Sequence, residues 1–348
     1  MISISRRRAL RTAAAGLAAS LARPTKRILA APGLSGTVYT ANEQGNSISA
    51  IRLADGGVET VALPISPHNV QITRDGKRLL AVGVAADPDG HAHGDAGLLL
   101  VIDPDRLRDG SMRSVSLGRH PAHVVPDATD RLAFVTLSEE DAVVAVDLAD
   151  GTLAGRFATG SYPHGLRLHP NGNELWVANV KDGTLSVLDL RERREVARIA
   201  VGSAPVQVAF VPSGTRLFAS LRDENAVAVL DAGARRLIGK VPVGRGPIQV
   251  HASPDGRWLY VASQGSEADP DRRLCIVDAV GLTVAAEVPV GLGAHGVTVS
   301  PDGTVFVSNI HDGTVSVVEP ASRSVVRTVP VGAGPNGITY RSASVSDS

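Results

Sequence analysis

Seven histidines in this 348-residue chain could do one piece of chemistry together, the holding of a metal ion. They are His68, His123, His164 and His295, with His91, His93 and His311 as outer partners. A neutral imidazole offers a lone pair near pH 7, and several imidazoles beside carboxylates suit Zn, Cu, Fe or Mn. Acidic residues occur in the same stretches: Asp87, Asp89, Glu139, Glu140, Asp141, Asp182, Asp223, Glu224 and Asp312. None of the histidines lies in a contiguous motif, since the chain has no H-E-x-x-H, no G-x-S-x-G and no Walker loop. Asp87-Pro88-Asp89-Gly90 lacks the later ligands of a calcium loop and reads as an acidic turn. With a single cysteine, Cys275, the chain can form neither an internal disulfide nor a cysteine-based metal cluster. Any ligand set must therefore be gathered from distant segments by the fold.

The gathering device is a repeat. Units close on Gly118, Gly160, Gly202, Gly244, Gly291 and Gly332, at intervals of 42, 42, 42, 47 and 41 residues. A proline follows three residues after most of them, at Pro121, Pro163, Pro205, Pro247 and Pro335, with Ala294 in its place once. In the unit 161–202 the pattern predicts four short strands, Gly165–His169, Glu174–Asn179, Thr184–Asp189 and Glu195–Val201, separated by Asn-Gly and Asp-Gly turns. Four antiparallel strands per repeat make a propeller blade. Six complete units run from Ile65 to Gly332. The remainders, 36–64 and 333–341, read as strands two to four and strand one of a seventh blade. The expectation is an all-β, seven-bladed β-propeller whose two chain ends pair in one composite blade, which removes exposed sheet edges.

Counting from the residue after each closing glycine, position 4 is His68, Ala122, His164, Val206, Ile248, His295 and Asn336 around the ring. Position 5 is Asn69, His123, Gly165, Gln207, Gln249, Gly296 and Gly337. Both positions begin the innermost strand and so rim one mouth of the central channel. The second-to-third-strand loops, carrying His91, His93 and His311, emerge at that mouth, and His120 lies on a fourth-to-first connection. Only His169 and His251 fall elsewhere. Arg119, Arg222 and Arg245 share the histidine face, and Arg119, His120 and Asn336 are the expected contacts for a small ligand there. The competing reading is structural: a rim histidine can simply hydrogen-bond the next blade, and propeller channels hold ordered water.

The second strands read Tyr39-Thr40-Ala41-Asn42, Trp176-Val177-Ala178-Asn179, Tyr260-Val261-Ala262-Ser263 and Phe306-Val307-Ser308-Asn309. This resembles the signature of the YVTN β-propeller repeat family over nearly all of residues 36–341. The resemblance implies the architecture and leaves activity open, because the wider superfamily includes lactonases, tetrapyrrole-binding proteins and the copper domain of nitrous oxide reductase. The histidine arrangement is similar to the last of these, but Val206 and Ile248 stand where a multi-copper ring would need ligands. A mononuclear site is the version that survives.

Ser5-Arg6-Arg7-Arg8-Ala9-Leu10-Arg11 and the apolar run 12–22 resemble a twin-arginine export signal. The domain expectation is an export peptide over 1–31, one propeller over 32–342 and a disordered tail over 343–348, in a periplasmic or secreted protein. No stretch is long and apolar enough for a permanent membrane span. Lys plus Arg equals Asp plus Glu at 35 each, so no general charge draws the chain to nucleic acid. Three functions fit: a metal or small-ligand binder at the channel mouth, a metal-dependent enzyme of the lactonase or lyase type, and a scaffold for a protein partner.

Overall fold

The computed structural model describes residues 34–86 and 92–343. The expected export peptide and nearly all of the expected tail lie outside these residues, as does His91. The described chain forms seven four-stranded antiparallel sheets. Blades one to six span residues 65–119, 121–158, 163–200, 205–242, 247–289 and 294–330 in turn. Blade seven pairs Pro335–Arg341 with Thr37–Asn42, followed by Ser47–Arg52 and Val58–Ala62. The ring thus closes as the repeat predicts. The strands of blade three, Pro163–Leu168, Glu174–Asn179, Thr184–Asp189 and Arg194–Ala200, match the sequence reading to within two residues.

Sheet faces meet sheet faces around the ring, so the core is divided among the blade interfaces. One apolar cluster lies between each neighbouring pair of blades among the described residues. Trp176, Phe218, Tyr260 and Phe306, all on second strands, are fully buried in them. The inner strands are sheet edges facing the channel, which is why proline is tolerated at their first residue: it has no N–H to leave unpaired.

Two polar devices repeat. The asparagine ending the signature is buried and staples its own hairpin. Asn42 donates to Ser47 and Ser49 (3.1 and 2.9 Å), Asn179 to Thr184 and Ser186 (3.0 and 2.9 Å), and Asn309 to Thr314 and Ser316 (both 2.9 Å). An acid on the second-to-third loop, or in blade five at the start of the third strand, then accepts the N–H of the first residue after the closing glycine. The pairs are Glu140 with Arg119, Asp182 with Ser161, Glu224 with Ser203, Asp271 with Arg245 and Asp312 with Leu292. Among the described residues no helix is long and apolar enough to cross a membrane.

Candidate metal centre

The inner strands Ile65–Ile72, Pro121–Pro126 and Pro163–Leu168 carry His68, His123 and His164. His123 sits at position 5 and the other two at position 4, and strict alternation would send neighbouring positions to opposite faces. A β-bulge removes that conflict. Register with the second strand shifts between Pro67 and Asn69, between Pro121 and Val124, and between Pro163 and Leu166, so each histidine falls inside the irregularity. Bulges re-aim side chains in this way. The result is that one ring nitrogen from each of the three histidines lies within 4.8 Å of the others. The His123 and His164 ring centroids are 4.7 Å apart, and that of His68 is 5.1 Å from His164.

The depth of His164 is fixed by its backbone. Its carbonyl accepts a hydrogen bond from Thr136 of the preceding blade at 2.8 Å, the latch that Ser220 and Ser308 make to Ile248 and Asn336 (2.5 and 2.7 Å). Gly165 follows because nothing larger fits. A Cβ there would lie 2.4 Å from Gln207 Oε1 and 2.5 Å from the Val206 carbonyl oxygen.

Hydrogen bonding decides which nitrogens are available. His68 Nδ1 lies 2.8 Å from Glu43 Oε1, and His164 Nδ1 lies 3.2 Å from the Val206 carbonyl. A carboxylate and a carbonyl only accept, so both Nδ1 atoms carry the ring proton. Both Nε2 atoms then present lone pairs when the rings are neutral, and they face each other at 3.1 Å. Two lone pairs at that distance repel unless a proton or a cation lies between them. A proton on His68 Nε2 would serve: burial disfavours a charged His68, but the Glu43 charge and hydrogen bond outweigh it and hold its pKa above the ordinary value. His164 is pushed down to about 3, by burial and then by His68, so it remains the acceptor.

His123 is 1% exposed, and its Nε2 is buried without a hydrogen-bond partner. Burial and the neighbouring His164 and His68 hold its pKa well below the usual value, so the ring is neutral. Its Nδ1 meets Gln207 Nε2 at 3.3 Å, while Gln207 Oε1 accepts the N–H of Val208 at 2.8 Å. That orientation puts the His123 proton on Nε2, so ligation through Nε2 requires the Gln207 amide to turn over.

Glu43 and Gln207 touch the histidine cluster and were not among the expected site residues. Burial favours a neutral Glu43, but His68 and then Asn336 outweigh it and lower its pKa to about 2. Asn336, expected as a ligand contact, is buried and donates to Glu43 Oε2 at 2.7 Å. It braces the anchor of His68. A signal for Glu43 existed: it follows the signature asparagine directly, where Val180 and Ile310 stand in blades three and six.

The other expected residues spread out. His295 is buried, with Nδ1 unpartnered, and its pKa is lowered to about 4 by burial and then by His68. It lines, with His164, a cavity of about 600 Å³ at this mouth, walled by Arg222, Asp223, Arg245 and Asp269. His311 is exposed beside Gly293. His93 lies on the strand Ala92–Ile102. Arg119 pairs with Glu139 at 3.8 Å, and the His120 ring lies 6.2 Å from that of Tyr162. Of the loop acids expected near the metal, Asp87 and Asp89 lie outside the described residues. Glu140, Asp182, Glu224 and Asp312 accept backbone N–H groups as described above, Asp141 accepts that of Tyr162, and Glu139 and Asp223 pair with Arg119 and Arg222.

The arrangement is a cluster of three imidazoles that could hold a metal ion. Two of them have their second nitrogen anchored on an acceptor, the outer support that metal-binding histidines ordinarily have.

Solved structures with the same architecture include hydrazine synthase of Kuenenia stuttgartiensis, at 18% identity and TM-score 0.66 over 82% of this chain and 97% of that one. A protein of unknown function from Desulfotomaculum acetoxidans matches at 14% identity and TM-score 0.72, over 89% of this chain and all of that one. A candidate 6-phosphogluconolactonase from Bacteroides uniformis matches at 17% identity and TM-score 0.70, over 88% and 100%. At these identities the likeness is one of fold. No functionally curated protein matches the sequence. The model of one family matches residues 110–303, more than half of the chain, and with the seven closed blades it identifies this protein as a member of the YNCE-like β-propeller family.

Proposed function

We propose that this protein is an exported propeller that binds one divalent transition-metal ion through His68, His123 and His164, with access from the mouth cavity. The observation that carries the reading is the pair of Nε2 atoms facing each other at 3.1 Å, each on a ring whose Nδ1 is already committed to an acceptor. Two nitrogens about 2.0–2.1 Å from a zinc-sized ion would subtend roughly 100° at that separation, close to tetrahedral. An all-imidazole donor set favours Cu²⁺ or Zn²⁺ over Mn²⁺. Export rests on the Arg6-Arg7-Arg8 segment and its apolar continuation.

A second reading, hydrolysis of a lactone, is favoured by one feature. The cavity of about 600 Å³ reaches His164 and His295, so a metal there would keep one side open to a carbonyl or a water. Arg222 and Arg245 on its wall would suit an acid group on such a substrate, and the likeness to candidate 6-phosphogluconolactonases agrees with it.

Metal-depleted protein titrated with Zn²⁺ or Cu²⁺ should take up one ion per chain and melt at higher temperature. The His68→Ala/His164→Ala double variant should bind at least about 100-fold more weakly. Wild-type protein that binds neither ion with any stoichiometry would remove the proposal. Turnover of a lactone panel by the loaded protein, absent from the depleted one, separates enzyme from binder.

A further inference from the structure

The opposite mouth of the channel is formed by the far ends of the same inner strands. A cavity of about 190 Å³ lies there, lined by Gln71, Arg74, Arg167, His251 and Thr298 among apolar residues. Two arginines and a histidine line it, and no carboxylate does. Arg167 is half-buried on the inner strand of blade three, and the hydrogen bond it makes is from Nη1 to the neighbouring Leu166 carbonyl, at 3.1 Å. Among the described residues no carboxylate pairs with it. Removal from water is what lowers its pKa, to about 10, and no counter-charge restores it. The charge persists at neutral pH all the same.

A cation drawn from water without a partner is costly, and the exposed ion pairs elsewhere on this protein show that acids are at hand to supply one. None lines this cavity: Asp130, beside Arg74, is spent on the backbone N–H groups of Arg74 and Asp75 at 3.0 and 2.9 Å. His251 donates from Nδ1 to the Ala252 carbonyl at 2.8 Å, which leaves Nε2 as its open nitrogen. Burial and then the Arg167 charge press its pKa down to about 4. Every polar side chain that lines the cavity is thus a cation, or a neutral group able to donate or accept.

We propose that this second mouth is a binding site for a small oxyanion, a phosphate or a short-chain carboxylate, held by the guanidinium fork of Arg167 with Arg74 at the rim. Arginine presents paired N–H donors that match both kinds of anion. About 190 Å³ corresponds to roughly six water volumes, room for phosphate or a two- to four-carbon acid. The site shares no residue with the histidine cluster, so it stands whether or not a metal binds there.

Calorimetric titration of the full, metal-free chain with inorganic phosphate and, separately, with malonate at constant ionic strength tests this. Binding of one equivalent of either is expected; phosphate alone, malonate alone or both identifies the anion. Arg167→Met should lose at least about 30-fold in affinity and still melt at or above the wild-type temperature without ligand, because a half-buried charge with no carboxylate partner has been removed. The exposed Arg74→Gln variant, whose folding is not at risk, should lose a few-fold. The His68→Ala/His164→Ala variant should bind as wild type does. Absence of binding by both anions, or undiminished binding by Arg167→Met, would overturn the proposal, as would loss of binding in the histidine double variant.

Discussion

The two mouths of the channel are built from the same seven inner strands and hold opposite chemistry. At the first, Glu43 and the Val206 carbonyl take the outer protons of His68 and His164 and turn their lone pairs toward each other. At the second, Arg167 presents donors with no carboxylate paired to it, and Arg74 shares the lining of the same cavity. A repeat fixes backbone geometry at every blade equally. What differs between the ends is which few positions depart from the repeat, and those departures set the sign of charge each mouth can receive.

Removing the negative anchor should blunt this contrast most. Glu43→Gln keeps the shape but not the charge, and loss of such an outer support typically lowers metal affinity about 10–100-fold. Metal titration should show that loss, with anion binding at the other mouth unchanged; equal metal affinity in wild type and variant would mean that the carboxylate does not orient His68. A smaller effect belongs to the second mouth. The folded pKa of His251 is about 4 against an ordinary 6.5, so the unfolded chain takes up the proton first. Its neutral burial is harmless above about pH 6.5, and stability is lost as pH falls from there toward 4, by on the order of 2 kcal/mol. Denaturant unfolding across that range should be flatter in His251→Gln than in wild type. Smallest of all is Arg119→Ala. Arg119 pairs with Glu139 at 3.8 Å on the surface, so its removal should change stability by less than about 0.5 kcal/mol and leave metal affinity as it was.

The blades were legible because their signals are local and repeated: a closing glycine, a proline, an alternating strand, a turn. Strand ends in blade three, the composite seventh blade and the placing of histidines at positions 4 and 5 all follow from that periodicity. The gathering of His68, His123 and His164 from three successive blades was legible in the same way; what the sequence did not display is the bulge that sets position 5 beside position 4. Glu43 was hidden because it breaks the pattern of its loop, whose equivalents in blades three and six are Val180 and Ile310. Loop acids such as Glu140 and Asp182 looked like ligands in sequence, but their carboxylates accept backbone N–H groups instead. Arg167 carried no motif at all. Its importance comes from what is missing around it, and a linear sequence does not display a missing neighbour.

The seventh blade joins residues from the two extremities of the chain, and the support of His68 is assembled there. Glu43 comes from the first hairpin and Asn336 from the last strand, and they meet at 2.7 Å only when the circle is shut. A chain truncated before Pro335 would keep all three imidazoles yet lose the brace behind one of them. Any ion held at that mouth therefore acts as a clasp on the seam, and its release would be felt first where the two ends of the polypeptide are laced together.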